Sequence, residues 1–173
     1  MKSRYLCGLF ILGCVVAGCG GDTTASPSSV SSAMFTAPLL PSSEVPPVNG
    51  SEANASGAAT IRFNLTKDST GYITAATMDV TVSVTGFPAG TALTASHIHP
   101  GAAGVNGGVF VDLGLAPGEI SFPTGTGAFT RQGVTLTVDQ ANSIMANPAA
   151  YYLNIHTVAN SGGVARGQLT RTQ

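Results

Sequence analysis

Tryptophan is absent from this chain, and cysteine is confined to its start, at Cys7, Cys14 and Cys19. The remainder therefore has no disulfide, no thiolate nucleophile, no iron–sulfur cluster and no cysteine ligand for a blue-copper centre. Charge is scarce too, at 9% of residues. So small a stock of lysine and arginine argues against nucleic acid as a partner. No Gly-x-Ser-x-Gly, phosphate-binding loop or His-Glu-x-x-His is present, and Glu44 and Glu119 show no pairing suited to glycoside chemistry. No catalytic residue is assigned. Helical periodicity is nearly missing as well, which sets aside an alternating α/β fold.

What is present begins with an export signal. Lys2 and Arg4 give the positive start, and Leu6 to Ala17 is an apolar run too short to span a bilayer well. Val16-Ala17-Gly18-Cys19 is similar to a bacterial lipobox, with small residues before a cysteine. The expectation is a lipoprotein signal peptide over residues 1–18 and a lipidated, palmitate-bearing Cys19 as the new N-terminus and membrane anchor. Gly20 follows it, not the aspartate associated with inner-membrane retention. By that analogy the anchor lies in the outer membrane of the cell envelope. Residues 19–33 are, after Cys19, Gly, Ser, Thr, Ala and Pro apart from Val30 and one charge, Asp22. They read as a flexible tether reaching about 20 Å. Of the seven Lys and Arg, two lie in the signal, leaving five against eight acidic residues.

Residues 34–173 form one domain by length. Met34 to Leu40 reads as an edge strand, because Pro38 costs a ladder bond. Ala59 to Leu65 alternates, with Ile61, Phe63 and Leu65 inward and Arg62 and Asn64 outward. Thr77 to Thr85 alternates again, with Met78, Val80, Val82 and Val84 inward. Leu93 to His99 follows, then Gly108 to Leu113, in which Val109, Val111 and Leu113 share a face. Gly127–Gln132 and Val134–Val138 are short strands. Tyr151–His156 and Val164–Thr170 form a last hairpin. The single helical candidate is Asp139 to Ala146, with Asp139 as N-cap and Asn147-Pro148 as its stop. Many short strands with frequent turns predict an all-β fold. The architecture is an antiparallel, Greek-key-like β-sandwich or flattened barrel with one short helix.

The chain has three histidines, and two of them, His97 and His99, stand two residues apart on one predicted strand. Residues i and i+2 of a strand share a face. His156 lies opposite Leu153 and Ile155, so if those two face the core it faces away. Three imidazoles could thus converge on the outside of a sheet, in a set that suits copper or zinc. Equally, each could donate to a loop carbonyl and pin a Gly-rich turn. Asp112 is either an oxygen ligand or a solvated strand end. Arg166 is either a site residue or the partner of a carboxylate such as Glu44. Tyr151 and Tyr152 read as packing and edge residues.

Three stretches together resemble the chordin domain, CHRD. They are Ser43-Glu44-Val45-Pro46-Pro47-Val48 with Ser56-Gly57-Ala58-Ala59; Ala95-Ser96-His97-Ile98-His99-Pro100-Gly101 with Gly104-Val105-Asn106-Gly107-Gly108; and Tyr152-Leu153-Asn154-Ile155-His156-Thr157 with Gly162 to Leu169. The resemblance covers about residues 34–171 and implies a secreted β domain, with no defined activity. A looser one concerns chemistry. A His-x-His strand before a Gly-rich loop, with a later apolar-x-His strand before Gly-Gly and an arginine, is similar to the copper site of Cu,Zn superoxide dismutases. It implies copper ligands at His97, His99 and His156 and an anion-guiding role for Arg166. The fourth histidine, the long zinc loop and the disulfide of those enzymes are missing, so zinc is not implied.

The first expectation is a membrane-anchored extracytoplasmic module that binds a metal ion, copper among the candidates, or a protein partner. The alternatives are a copper-only superoxide dismutase-like oxidoreductase and a purely structural envelope module.

Overall fold

The computed structural model describes residues 28–173. The export signal, Cys19 and most of the expected tether lie outside them. Two antiparallel sheets face each other across one apolar core. The first contains β1 (Ser29–Leu39), β2 (Ser56–Lys67), β3 (Ile73–Thr85), β7 (Gly127–Leu136) and β10 (Thr170–Arg171), in the order β10-β1-β2-β3-β7. The second has β4 (Thr91–Pro100), β5 (Val111–Asp112), β8 (Tyr151–Thr157) and β9 (Ala165–Gln168), in the order β5-β4-β8-β9, and β6 (Ser121–Phe122) pairs with the start of β4. The architecture is the expected all-β sandwich, and the sheets do not close into a barrel.

The period-two pattern is what builds the core. Ile61, Phe63, Leu65, Met78, Val80, Val82 and Val84 are all buried, while Arg62 is exposed. From the second sheet Leu93, Ile98, Leu153 and Ile155 meet them. Phe63 packs on Phe35 with ring centroids 4.9 Å apart, both rings fully buried. Phe63→Ala should cost about 3–5 kcal/mol in denaturant unfolding, and a loss below about 1 kcal/mol would mean the site collapses around the gap.

Several boundaries differ from expectation, each for a local reason. β1 begins at Ser29, and Ser29–Ala33 pair with Phe63–Lys67 of β2. It is not an edge strand, since β10 covers it at Phe35 and Thr36, and Pro38 lies beyond that short partner. Gly108–Leu113 shortens to Val111–Asp112, and Val109 is exposed, because the Gly-Gly backbone before it turns back toward β4. The two expected strands over 127–138 are one strand, β7, with an irregularity where Asp79 accepts from the Gly133 N–H at 2.9 Å. The helix α1 (Val138–Ala146) is capped by Thr137, not Asp139. Thr137 Oγ1 accepts from the Gln140 N–H, and Gln140 Oε1 accepts from the Thr137 N–H. This reciprocal pair leaves Asp139 in the first turn, where its charge still favours the positive helix end.

Candidate metal centre

β4 and β8 pair with His97 opposite Asn154 and His99 opposite Tyr152. β9 continues the sheet with Asn154 opposite Arg166. Directly opposed residues share a face, so His97, His99, Tyr152, Asn154, His156 and Arg166 all stand on the side away from the core. The three histidines come together as the spacing predicts. One ring nitrogen from each lies within 4.8 Å of the others.

That outer side is not solvent-exposed. His99, Asn154, His156 and Arg166 are all buried, and His97 keeps 16% of its side chain exposed. The roof comes from three segments: residues 40–49, the loop 101–107 and the turn 158–163. Each is tied down by the polar face itself. His99 Nδ1 is 3.1 Å from the Gly107 carbonyl, and His156 Nδ1 is 2.9 Å from the Ser161 carbonyl. Arg166 donates to the carbonyls of Ala102 and Val105 and to Asn106 Oδ1, and the Asn106 amide donates to the Val45 carbonyl at 2.7 Å. Gly107 must be glycine for this closure, because a Cβ there would lie 1.7 Å from the Pro100 carbonyl oxygen.

These partners fix the tautomers. A carbonyl oxygen only accepts, so His99 and His156 carry their protons on Nδ1. His97 Nδ1 is 3.0 Å from His156 Nε2, and with the His156 proton on Nδ1 the proton of that contact belongs to His97 Nδ1. Its Nε2 is 3.7 Å from Asp112, an electrostatic contact and too long for a hydrogen bond. His97 Nδ1, His99 Nε2 and His156 Nε2 therefore face inward, the last two as lone pairs and the first with the one proton that an incoming ion displaces. The Asn154 amide stands 3.1 and 2.9 Å from the Nε2 atoms of His99 and His156. Two far nitrogens tied to carbonyl oxygens, with the near nitrogens gathered together, is the arrangement of metal-ligating histidines. Asp112 thus serves the site from behind His97, and its side chain is largely exposed.

Burial pushes the His97 and His156 pKa values below the ordinary imidazole range. Asp112 opposes the shift at His97, and the Ser161 carbonyl opposes it at His156. Both rings are thereby held in the neutral, ligating form. Burial also raises Glu44, at the inner end of the roof, to about 7 against the opposing pull of Arg166 and Asn154.

Arg166 lies 3.6 Å over the Tyr152 ring, which in turn stacks on His99 with centroids 5.0 Å apart. The guanidinium is occupied by this chain's own oxygens. Tyr152 is buried as expected of a packing residue, and Tyr151 packs on Phe110. Asn154 and the depth of Glu44 escaped the sequence reading. The signal for Asn154 was there: Tyr152, Asn154 and His156 are successive alternate residues of one strand.

The fold and the site define a two-sheet β domain with a roofed histidine cluster on the outer side of its second sheet. The chain belongs to the CHRD domain family, whose profile matches residues 35–169, from β1 to the residue after β9. Searches among curated proteins and among solved structures gave no significant match. Among the described residues no helix is long and apolar enough to cross a membrane.

Proposed function

We propose that this protein is an extracytoplasmic CHRD module, lipid-anchored through Cys19, that binds a divalent first-row transition ion at His97, His99 and His156. The observation that carries the metal reading is the clustering of three inward-facing imidazole nitrogens within 4.8 Å of one another, with the far nitrogens of His99 and His156 held by backbone carbonyls. Neutral imidazole suits copper(II) and zinc(II) alike, and no cysteine competes for the ion in residues 20–173. Binding is preferred over catalysis because the roof leaves His97 as the ligand with a solvent-facing edge.

Titrating the full-length protein with copper(II), and separately with zinc(II), should give one equivalent bound. Absence of stoichiometric binding by both ions removes the metal reading and leaves a structural or protein-binding module.

The anchor rests on the lipobox-like Val16-Ala17-Gly18-Cys19. An acylated N-terminal cysteine carries more than one chain, and two anchoring signals suffice for stable attachment. Cys19→Ser should move the protein from the membrane to the soluble fraction on cell fractionation. Retention of a signal-cleaved Cys19→Ser protein in the membrane would place the attachment elsewhere. Outer-membrane residence, suggested by Gly20, is read in the same fractionation.

A further inference from the structure

We propose that Asn154 is the fourth ligand of the metal centre, through its amide oxygen, and that Glu44 is the positioning residue that keeps the oxygen turned to the ion. This rests on the three-histidine reading above and adds to it.

The geometry comes first. Metal–nitrogen and metal–oxygen bonds of about 2.0–2.2 Å place tetrahedral ligand atoms about 3.3–3.6 Å apart. Asn154 Oδ1 is 3.1 Å from His99 Nε2 and 2.9 Å from His156 Nε2, and His156 Nε2 is 3.0 Å from His97 Nδ1. Three edges of the four-atom figure are thus within a few tenths of an ångström of a first coordination shell. A modest outward relaxation admits the ion.

Hydrogen bonding then decides which end of the amide faces the histidines. The protons of His99 and His156 are committed to the carbonyls of Gly107 and Ser161. The amide therefore meets two lone pairs on that side. On its other side is Glu44, which is buried and whose Oε1 has no hydrogen-bond partner. Glu44 Oε1 and the Asn154 amide nitrogen close over Gly163. A Cβ at that residue would lie 2.5 Å from the first and 2.8 Å from the second. Ionised Glu44 only accepts, so it draws the NH2 group to its side and leaves the carbonyl oxygen among the three nitrogens. The Asn154 oxygen and the His99 and His156 lone pairs then face one another with one proton, that of His97 Nδ1, among them. A cation that displaces this proton would take all four atoms as ligands. Arg166 acts on Glu44 through its charge, while its hydrogen bonds go to Ala102, Val105, Asn106 and Gln168. It adds no proton to the cluster.

The test uses cobalt(II), whose visible ligand-field bands report the atoms bound to it, with the full-length protein in detergent. Wild type should bind one cobalt(II). Asn154→Ala should bind at least about tenfold more weakly and, at saturating cobalt, show shifted bands as water replaces the amide. A role confined to packing would weaken binding without moving the bands at saturation. Asn154→Asp, which keeps the side-chain shape should alanine fail to fold, should bind and again shift the bands, since a carboxylate replaces an amide. Glu44→Gln should weaken binding by about tenfold with bands unmoved. Bands identical to wild type in both Asn154 variants overturn the ligand assignment and leave the three-histidine centre standing. Unchanged affinity in Glu44→Gln overturns its positioning role. A wild type that shows no cobalt bands at all overturns both, together with the metal reading.

Discussion

The variant His97→Ala/His99→Ala/His156→Ala should lose copper(II) or zinc(II) binding by more than about a hundredfold, beyond what changes outside the ligand set cost. The chain has no other histidine, and its cysteines lie at or before position 19, so no substitute ligand of comparable strength is at hand. Calorimetric titration at pH 8 measures the loss, and equal affinity in both proteins would place the ion elsewhere. The pH dependence has a definite sign. Only neutral imidazole ligates, and burial lowers the pKa of His97 and His156. Binding should therefore persist through pH 6.5, the ordinary imidazole value, and fail only below it. A midpoint at or above 6.5 would indicate ordinary exposed histidines. By the same linkage, the unfolded chain takes up protons at these two residues before the folded one does. The metal-free protein should then lose stability as pH falls below about 6.5, and keep this contribution above it.

The second large effect concerns Arg166. Arg166→Met should destabilise the fold by about 3–5 kcal/mol, the range found when one partner of a buried charged network is removed. Arg166 is 1% exposed, so water does not take over its bonds. Methionine would restore contact with the Tyr152 ring but leave the carbonyls of Ala102 and Val105 and the Asn106 side chain without their donor. Glu44 would lose its nearest cation as well. Arg166→Lys should recover little, because one ammonium cannot span the same set of oxygens. Urea unfolding at unchanged m-value gives the number. A loss below about 1 kcal/mol would mean that the loop 101–107 finds its bonds elsewhere.

Much of this was legible from the order of residues, and what was not has a physical cause. Alternation alone identified Ile61, Phe63, Leu65 and the Met78–Val84 series as core, because one face of each strand is buried and a one-residue slip would invert it. The same rule placed His97, His99 and His156 on one face. It could not say that the face is roofed, since the covering loops are held by backbone carbonyls of Gly107 and Ser161, and carbonyls carry no sequence signal. Metal ligation and the pinning of loops stood as rival readings of the histidines. The structure shows that the pinning is done by Nδ1 of His99 and His156, leaving Nε2 free, so one ring serves both purposes. The length of β1 was missed for a different reason: Ser29–Ala33 is Ser-Val-Ser-Ser-Ala, with no alternation to read, and it becomes a strand beside its partner β2.

The pinned roof also bears on when the site comes into being. His97 and His156 are 59 residues apart in the chain, and Asn106 reaches Val45 across 61. Such contacts need the strands that bring them together to be paired first, since local chain structure alone does not supply them. A chain crossing a membrane in the unfolded state would therefore carry no ligand set with it. Its ion would be taken from the compartment in which folding finishes, and the supply there, not the affinity order of the metals, would choose which one is captured.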